Sequence, residues 1–198
     1  RYGDERRTEI VEDDSDIAIE DLITEEDMAV TVSHEGYVKR TPVTEYRLQH
    51  RGGRGVQGAT TKDGDFVEQM FVASTHDHLL FFTNLGRIYR ARVYELPQAG
   101  RTSRGKHAAN VLELQRENEK EGTQEETIRT CLVIPRNFQD RSDLKHILMC
   151  TANGICKKID MLDPTRVRRT GIRGISLDEG DSLISAALTD GDRELFFT

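Results

Sequence analysis

One short pattern occurs three times along this chain and limits what it can fold into. A run of apolar and β-branched residues leads to a glycine, and an apolar residue and then basic residues follow. Met28-Ala29-Val30-Thr31-Val32-Ser33-His34-Glu35-Gly36 aligns with His78-Leu79-Leu80-Phe81-Phe82-Thr83-Asn84-Leu85-Gly86 and with His146-Ile147-Leu148-Met149-Cys150-Thr151-Ala152-Asn153-Gly154. After the glycines come Tyr37-Val38-Lys39-Arg40, Arg87-Ile88-Tyr89-Arg90 and Ile155-Cys156-Lys157-Lys158. A second strand type recurs with it. Phe66-Val67 leads into Met70-Phe71-Val72-Ala73, Ser182-Leu183-Ile184 leads into Ala186-Ala187-Leu188, and Ile128 to Ile134 holds the equivalent place between them.

Short runs rich in β-branched and aromatic residues, bounded by Gly, Asp and Asn, read as strands. No stretch after residue 28 keeps a helical period. A unit of four strands repeated at this spacing is the signature of a propeller blade. The expected fold is therefore all-β, a β-pinwheel or propeller-like repeat domain of four-stranded blades, with about three and a half blades present. A β-solenoid is the structural rival, with repeats that are usually shorter. The expected units are residues 17–62, 63–112 and 127–180, with 181–198 an incomplete fourth. Glu113 to Glu126 reads as an acidic insertion that lengthens the interval from Gly86 to Gly154. Residues 1–16 read as the end of a preceding helical core and an acidic linker, and a chain that opens on Arg1 reads as part of a longer protein.

Each unit also carries a basic, glycine-containing loop at a similar distance after its turn. These are Gln49-His50-Arg51-Gly52-Gly53-Arg54-Gly55, Arg101-Thr102-Ser103-Arg104-Gly105, and Thr170-Gly171-Ile172-Arg173-Gly174 preceded by Arg168 and Arg169. The net charge of −7 hides this pattern. Residues 1–27 alone are more negative than the whole chain, and the 113–126 block is acidic as well, so the remainder is basic. Such segregation fits a basic surface with acidic appendages. The bland alternative is two solvated loops on a neutral domain.

Other chemistry finds little support. No apolar run approaches the roughly 18 residues of a membrane span, and no signal peptide is visible. Gly53-Arg54-Gly55-Val56-Gln57-Gly58 matches G-x-G-x-x-G, but turn-like residues follow it where a dinucleotide site needs a helix. His76 and His78 lack a third ligand, so no metal site is expected. Cys131, Cys150 and Cys156 form no C-x-x-C motif. A two-residue turn at Asn153-Gly154 would set Cys150 opposite Lys157 and turn the thiols of Cys150 and Cys156 to different faces. They then read as free thiols of a reducing compartment. None of the five tyrosines has a catalytic setting.

The Gln49–Gly55 segment resembles the signature box of the gyrase A family, the A subunits of DNA gyrase, Q-[RK]-R-G-G-[RK]-G. Gly3-Asp4-Glu5-Arg6-Arg7-Thr8-Glu9-Ile10, Glu20-Asp21-Leu22-Ile23-Thr24, Thr75-His76-Asp77-His78 and Val93-Tyr94-Glu95-Leu96-Pro97 are similar to stretches of the same family. The resemblance implies a chain that starts at the end of the cleavage core and enters a C-terminal six-bladed pinwheel, which wraps duplex DNA around a basic rim. It implies that the box helps close the ring and makes wrapping chiral. The wider assembly would be an ATP-dependent type II topoisomerase that introduces negative supercoils. Its gyrase A dimer would join gyrase B subunits in a heterotetramer that uses ATP and Mg, in the bacterial cytoplasm at the nucleoid. The cleaving tyrosine and the ATP site would lie elsewhere, which leaves this stretch with no cofactor and no catalytic residue. Topoisomerase IV has an equivalent domain with a degenerate box, and a protein-binding propeller is a further alternative.

DNA binding is then expected at the box residues Gln49, His50, Arg51, Gly52, Gly53, Arg54 and Gly55. On the other blades it is expected at Lys39, Arg40, Arg87, Arg90, Arg92, Arg101, Arg104, Lys106, Lys157, Lys158, Arg166, Arg168, Arg169 and Arg173, some of which only decorate the surface. Arginine meets phosphate through a planar fork of donors, and glycine leaves room for phosphate to approach backbone amides. His50 stands where the family pattern has a basic residue, and an imidazole is mostly neutral at pH 7.

Overall fold

The structure, a computed structural model, describes residues 19–46, 64–115 and 125–194. The box at residues 49–55, most of the acidic insertion and the N-terminal segment 1–16 therefore lie outside the described residues.

Eleven strands occur among the described residues. They are β1 (Asp27–Ser33), β2 (Tyr37–Pro42), β3 (Val67–Ser74), β4 (His78–Thr83), β5 (Arg87–Arg92), β6 (Lys106–His107), β7 (Ile128–Ile134), β8 (His146–Thr151), β9 (Cys156–Asp160), β10 (Ile172–Arg173) and β11 (Leu183–Thr189). The three turn glycines sit at φ of +80° (Gly36), +70° (Gly86) and +82° (Gly154), and each closes a hairpin. Among the described residues only short 3-10 turns interrupt the strands, so the all-β expectation holds.

Three antiparallel sheets form, in the orders β3-β1-β2-β6, β7-β4-β5-β10 and β11-β8-β9. The sheets do not follow contiguous stretches of sequence. β3 lies past the expected boundary at 62/63 and pairs with β1, while β11, expected to open a fourth unit, pairs with β8. The fourth strands come from further along still. After the β4–β5 hairpin the chain returns to the first sheet as β6, and after β8–β9 it returns to the second as β10. Each of the first two sheets is thus finished by the unit that follows it.

The middle sheet is covered on both faces. Side chains alternate across a strand, so Leu79 and Phe81 enter one core with Met28, Val30 and Val32, while Leu80 and Phe82 enter another with Ile147, Met149 and Leu183. All six residues of β4 are buried, which is why that strand reads as an unbroken apolar run.

An acid clamp recurs beside each hairpin turn. Asp65 Oδ1 accepts from the amides of Glu35 and Phe66 at 3.0 Å, and Asp181 Oδ1 accepts from Asn153 (3.0 Å) and Ser182 (2.8 Å). Burial pushes the Asp65 carboxyl up, but its hydrogen bonds and Arg104 outweigh this and hold it below the ordinary aspartate value. The Thr151 hydroxyl does most to hold Asp181 low. In the middle sheet the same place falls to Glu126, whose side chain is fully buried. Its Oε1 accepts from the Thr83 hydroxyl at 2.6 Å, and its Oε2 accepts from the Tyr89 hydroxyl and the Gln115 amide at 2.7 Å each. The acidic block is therefore not all a solvated insertion. Leu112 and Leu114 join the core, and Glu126 pins the far end.

His76 and His78 are both buried. His76 Nε2 lies 2.9 Å from the Ile23 carbonyl. Burial, followed by the charges of Arg92 and Arg90, lowers the His78 pKa from 6.5 to about 4. Between those values the unfolded chain binds the proton and the folded chain does not, so this contribution to stability is complete above pH 6.5 and is lost as pH falls through 4. With partial solvent screening it amounts to about 2 kcal/mol. His78→Leu should flatten the stability–pH curve in that window. A curve from denaturant melts as steep as that of the parent would show that another group titrates there.

Candidate nucleic-acid interface

The two described basic loops lie on the returning segments. Because these segments cross back by one sheet, cations from neighbouring sequence units come together. Arg101, Arg104 and Lys106 lie on the first sheet with Arg40, not with Arg87 and Arg90. Arg168, Arg169 and Arg173 lie on the second sheet with Arg87 and Arg90. Lys157 and Lys158 stand on β9, at the edge of the third sheet opposite β11.

The glycines of these loops serve packing rather than phosphate access. A Cβ on Gly105, at φ +88°, would run into the Val38 carbonyl. One on Gly171, at φ +73°, would stand 2.7 Å from the Tyr89 ring. A returning loop lies this close to a blade only where it has no side chain.

Lys39 was expected to meet phosphate, and the structure overturns that expectation. It is fully buried, and its Nζ donates to the carbonyls of Gly100 (3.2 Å), Arg101 (2.6 Å) and Ser103 (2.8 Å). Burial lowers its pKa below the usual lysine value, opposed by Glu45. The ammonium anchors the loop that displays Arg101 and Arg104. Arg92 is a second correction. Its guanidinium reaches Glu20 at 3.0 Å and the His76 carbonyl at 2.7 Å, and its side chain is largely buried. Arg40 also has a structural bond, from Nε to the Leu96 carbonyl at 2.9 Å.

Other expected residues remain on the surface. The Arg104 guanidinium lies over the Tyr37 ring, 3.4 Å from its centroid, and pairs with Glu35 at 3.1 Å. Arg87 donates to the Thr170 carbonyl at 2.5 Å and so ties the next loop down. Arg173 lies directly opposite Arg87 in the ladder. Arg90 and Arg169 line one cleft, and Arg169 is 3.9 Å from Glu113. Arg166 lies 3.7 Å from Asp163 and is mostly exposed. Lys157 donates to the Gly174 carbonyl at 2.9 Å. Among the described residues, Lys106, Lys158, Arg168 and Arg173 are exposed and have no carboxylate within ion-pair distance. The described residues hold no cluster suited to a metal ion.

Three antiparallel sheets, the first two each closed by a basic loop from the next unit, define a propeller-type repeat domain with positive charge at its sheet junctions. The family model described as "DNA gyrase C-terminal domain, beta-propeller" matches residues 27–74, 77–113 and 145–190. The chain belongs to that family. It is 46% identical over 190 residues to the gyrase A protein of Neisseria gonorrhoeae, covering 96% of this chain and 19% of that one. It is 45% identical over 195 residues to the gyrase A protein of Mycolicibacterium smegmatis, covering 98% and 22%. The chain thus spans about a fifth of the length of the curated relatives it matches. Among solved structures it is similar to the C-terminal domain of DNA topoisomerase IV, with a TM-score of 0.66 and 31% identity, covering 85% of this chain and 47% of that one.

Proposed function

We propose that this chain is the DNA-binding and DNA-wrapping part of a gyrase A protein. The observation that carries the reading is the facing pair Arg87 and Arg173: Arg87 lies 3.9 Å from Glu126, whereas Arg173, like Arg168 on the same returning segment, has no carboxylate within ion-pair distance among the described residues. Like charges directly opposite in a ladder are destabilising, and a phosphate held by Arg173 lowers that cost. Cations at successive sheet junctions suit a duplex bent along the rim, a mode that needs backbone contacts and no base readout. Bending costs several kcal/mol, which many such contacts must offset.

By the resemblance to the gyrase A family, the box at residues 49–55 would help close the ring and set the hand of the wrap. In the assembled enzyme, a type II topoisomerase with gyrase B subunits supplying the ATP site, the wrap would direct ATP- and Mg-dependent negative supercoiling at the nucleoid.

The test is a salt titration of binding to duplex DNA. Each phosphate contact contributes a slope of about −0.9 in log K against log salt. The double variant Arg168→Ala/Arg173→Ala should lose about 10-fold in affinity and flatten the slope by about 2. Binding insensitive to salt, or unchanged in the variant, would sink the assignment.

A further inference from the structure

The third hairpin differs from the other two at one cross-strand position. In each hairpin a residue four before the turn glycine faces the residue two after it, giving Val32 opposite Val38, Phe82 opposite Ile88, and Cys150 opposite Cys156. The expected two-residue turn, which would have placed Cys150 opposite Lys157, is not formed. Thr151 N–H donates to the Ile155 carbonyl at 2.9 Å and closes a longer loop. The two thiols therefore share one face, with Cys156 Sγ 3.0 Å from Cys150 Sγ.

The backbone suits a bond between them. Hydrogen-bonded and non-hydrogen-bonded pairs alternate along an antiparallel ladder, so the pair next to Thr151 and Ile155 is non-hydrogen-bonded, with Cα atoms about 4.5 Å apart. That lies inside the range of about 4.4–6.8 Å that a disulfide spans. Exposure divides the roles, since Cys150 is buried and Cys156 exposed. The equivalent pairs in the first two sheets are buried and apolar. A disulfide carries no proton and no charge, so it can fill such a site as well as a pair of aliphatic side chains.

We propose that Cys150 and Cys156 are a redox modification site, which a hydroperoxide oxidises to a cross-strand disulfide that braces the third hairpin. The inference is independent of the DNA-binding reading. The Cys156 thiolate attacks one peroxide oxygen, the O–O bond breaks, and the departing hydroxide takes up a proton to leave as water. Cys156 is then a sulfenic acid. The Cys150 sulfur attacks the Cys156 sulfur, the S–S bond forms, and the S–O bond breaks. The hydroxyl leaves as water with the Cys150 proton. Two thiols and one hydrogen peroxide give one disulfide and two waters, and the two electrons lost by sulfur reduce the peroxide. Burial and the neighbouring Cys156 push the Cys150 thiol up to about 12, so it stays protonated until this second step. Cys131 is buried, with its thiol pushed well above the usual range, and serves as the internal control.

Hydrogen peroxide is the probe, applied to the reduced protein with all three cysteines present. Peptide mapping should find the Cys150–Cys156 cross-link, with Cys131 still open to alkylation after unfolding. A strong reductant should restore both thiols. The oxidised form should melt about 5 °C above the reduced form. In Cys150→Ser the reaction should stop at a sulfenic acid on Cys156 that a dimedone reagent traps, while the parent shows little trapping. No cross-link in the parent, a cross-link through Cys131, or equal trapping in parent and variant would overturn the proposal. An oxidised form that melts at the reduced temperature would remove the bracing role.

Discussion

Lys39→Met is expected to weaken DNA binding although the Lys39 ammonium is buried beneath the returning loop. Its ammonium is held by three carbonyls of the returning loop, at 2.6 to 3.2 Å. Methionine keeps the length of the side chain and removes every donor. The Gly100, Arg101 and Ser103 carbonyls then lose a charged partner in a buried site, and stability should fall by about 3 kcal/mol. For a chain of this size that is about 10 °C in Tm. The freed loop carries Arg101 and Arg104 and leads into Lys106, so affinity for duplex DNA should fall several-fold with it. The two readings of Lys39 separate cleanly. A phosphate contact would lose affinity and salt slope at unchanged Tm, whereas an anchor loses Tm first. Paired melting and binding curves on the one variant decide, and an unchanged Tm would refute the anchoring role.

That case marks where the sequence stopped being legible. A lysine shortly past a glycine turn, followed by Arg40, reads as solvated charge. Burial comes from a segment more than a full unit away that folds back over β2, and nothing local to Lys39 announces it. The repeat held one usable clue. Tyr89 stands at the same place in the second unit and is also buried, with Gly171 of the next returning loop against its ring. A position filled by Lys in one unit and Tyr in another is better explained by a shared docking role than by shared charge.

The hairpins were legible because their signals are local. Alternating apolar residues and a positive-φ glycine fix both strands and turn in the three hairpins of the described residues. Sheet membership was not, because β6 and β10 are two residues long and exist only by pairing across units. The cysteine register is obscured for a different reason. The Asn153-Gly154 pair suggested a two-residue turn, yet the spacing of Val32 to Val38 and Phe82 to Ile88 already described the loop that Cys150 and Cys156 share. The basic loops are legible as charge, but beside Gly105 and Gly171 a blade surface occupies the space that phosphate access would need.

Glu126 is the residue whose loss should cost the fold most. Read along the chain it ends an acidic block. Aligned by unit it is the counterpart of Asp65 and Asp181, the acid that precedes the outer strand and meets the hydroxyl of Ser33, Thr83 or Thr151. It is the most buried of the three, and Tyr89 and the Gln115 amide share its second oxygen. Glu126→Ala leaves two buried hydroxyls, of Thr83 and Tyr89, and the more exposed Gln115 amide without an acceptor, and at roughly 1–3 kcal/mol for a buried group the total should be about 4 kcal/mol, or about 12 °C in Tm. Glu126→Gln tests whether charge or hydrogen bonding matters. The amide oxygen can take the place of Oε2 and accept from Tyr89 and Gln115, while the amide NH2 donates to the Thr83 hydroxyl, which then acts as acceptor. The Tyr89 and Gln115 donors stay paired, while the Thr83 hydroxyl proton loses its acceptor and the long contact to Arg87 Nε at 3.9 Å is lost. The glutamine variant should therefore lose about 1–2 kcal/mol, well short of the alanine variant. If Gln and Ala are equally destabilising in chemical denaturation, the site depends on the negative charge beside Arg87, and the hydrogen-bond account of this clamp fails.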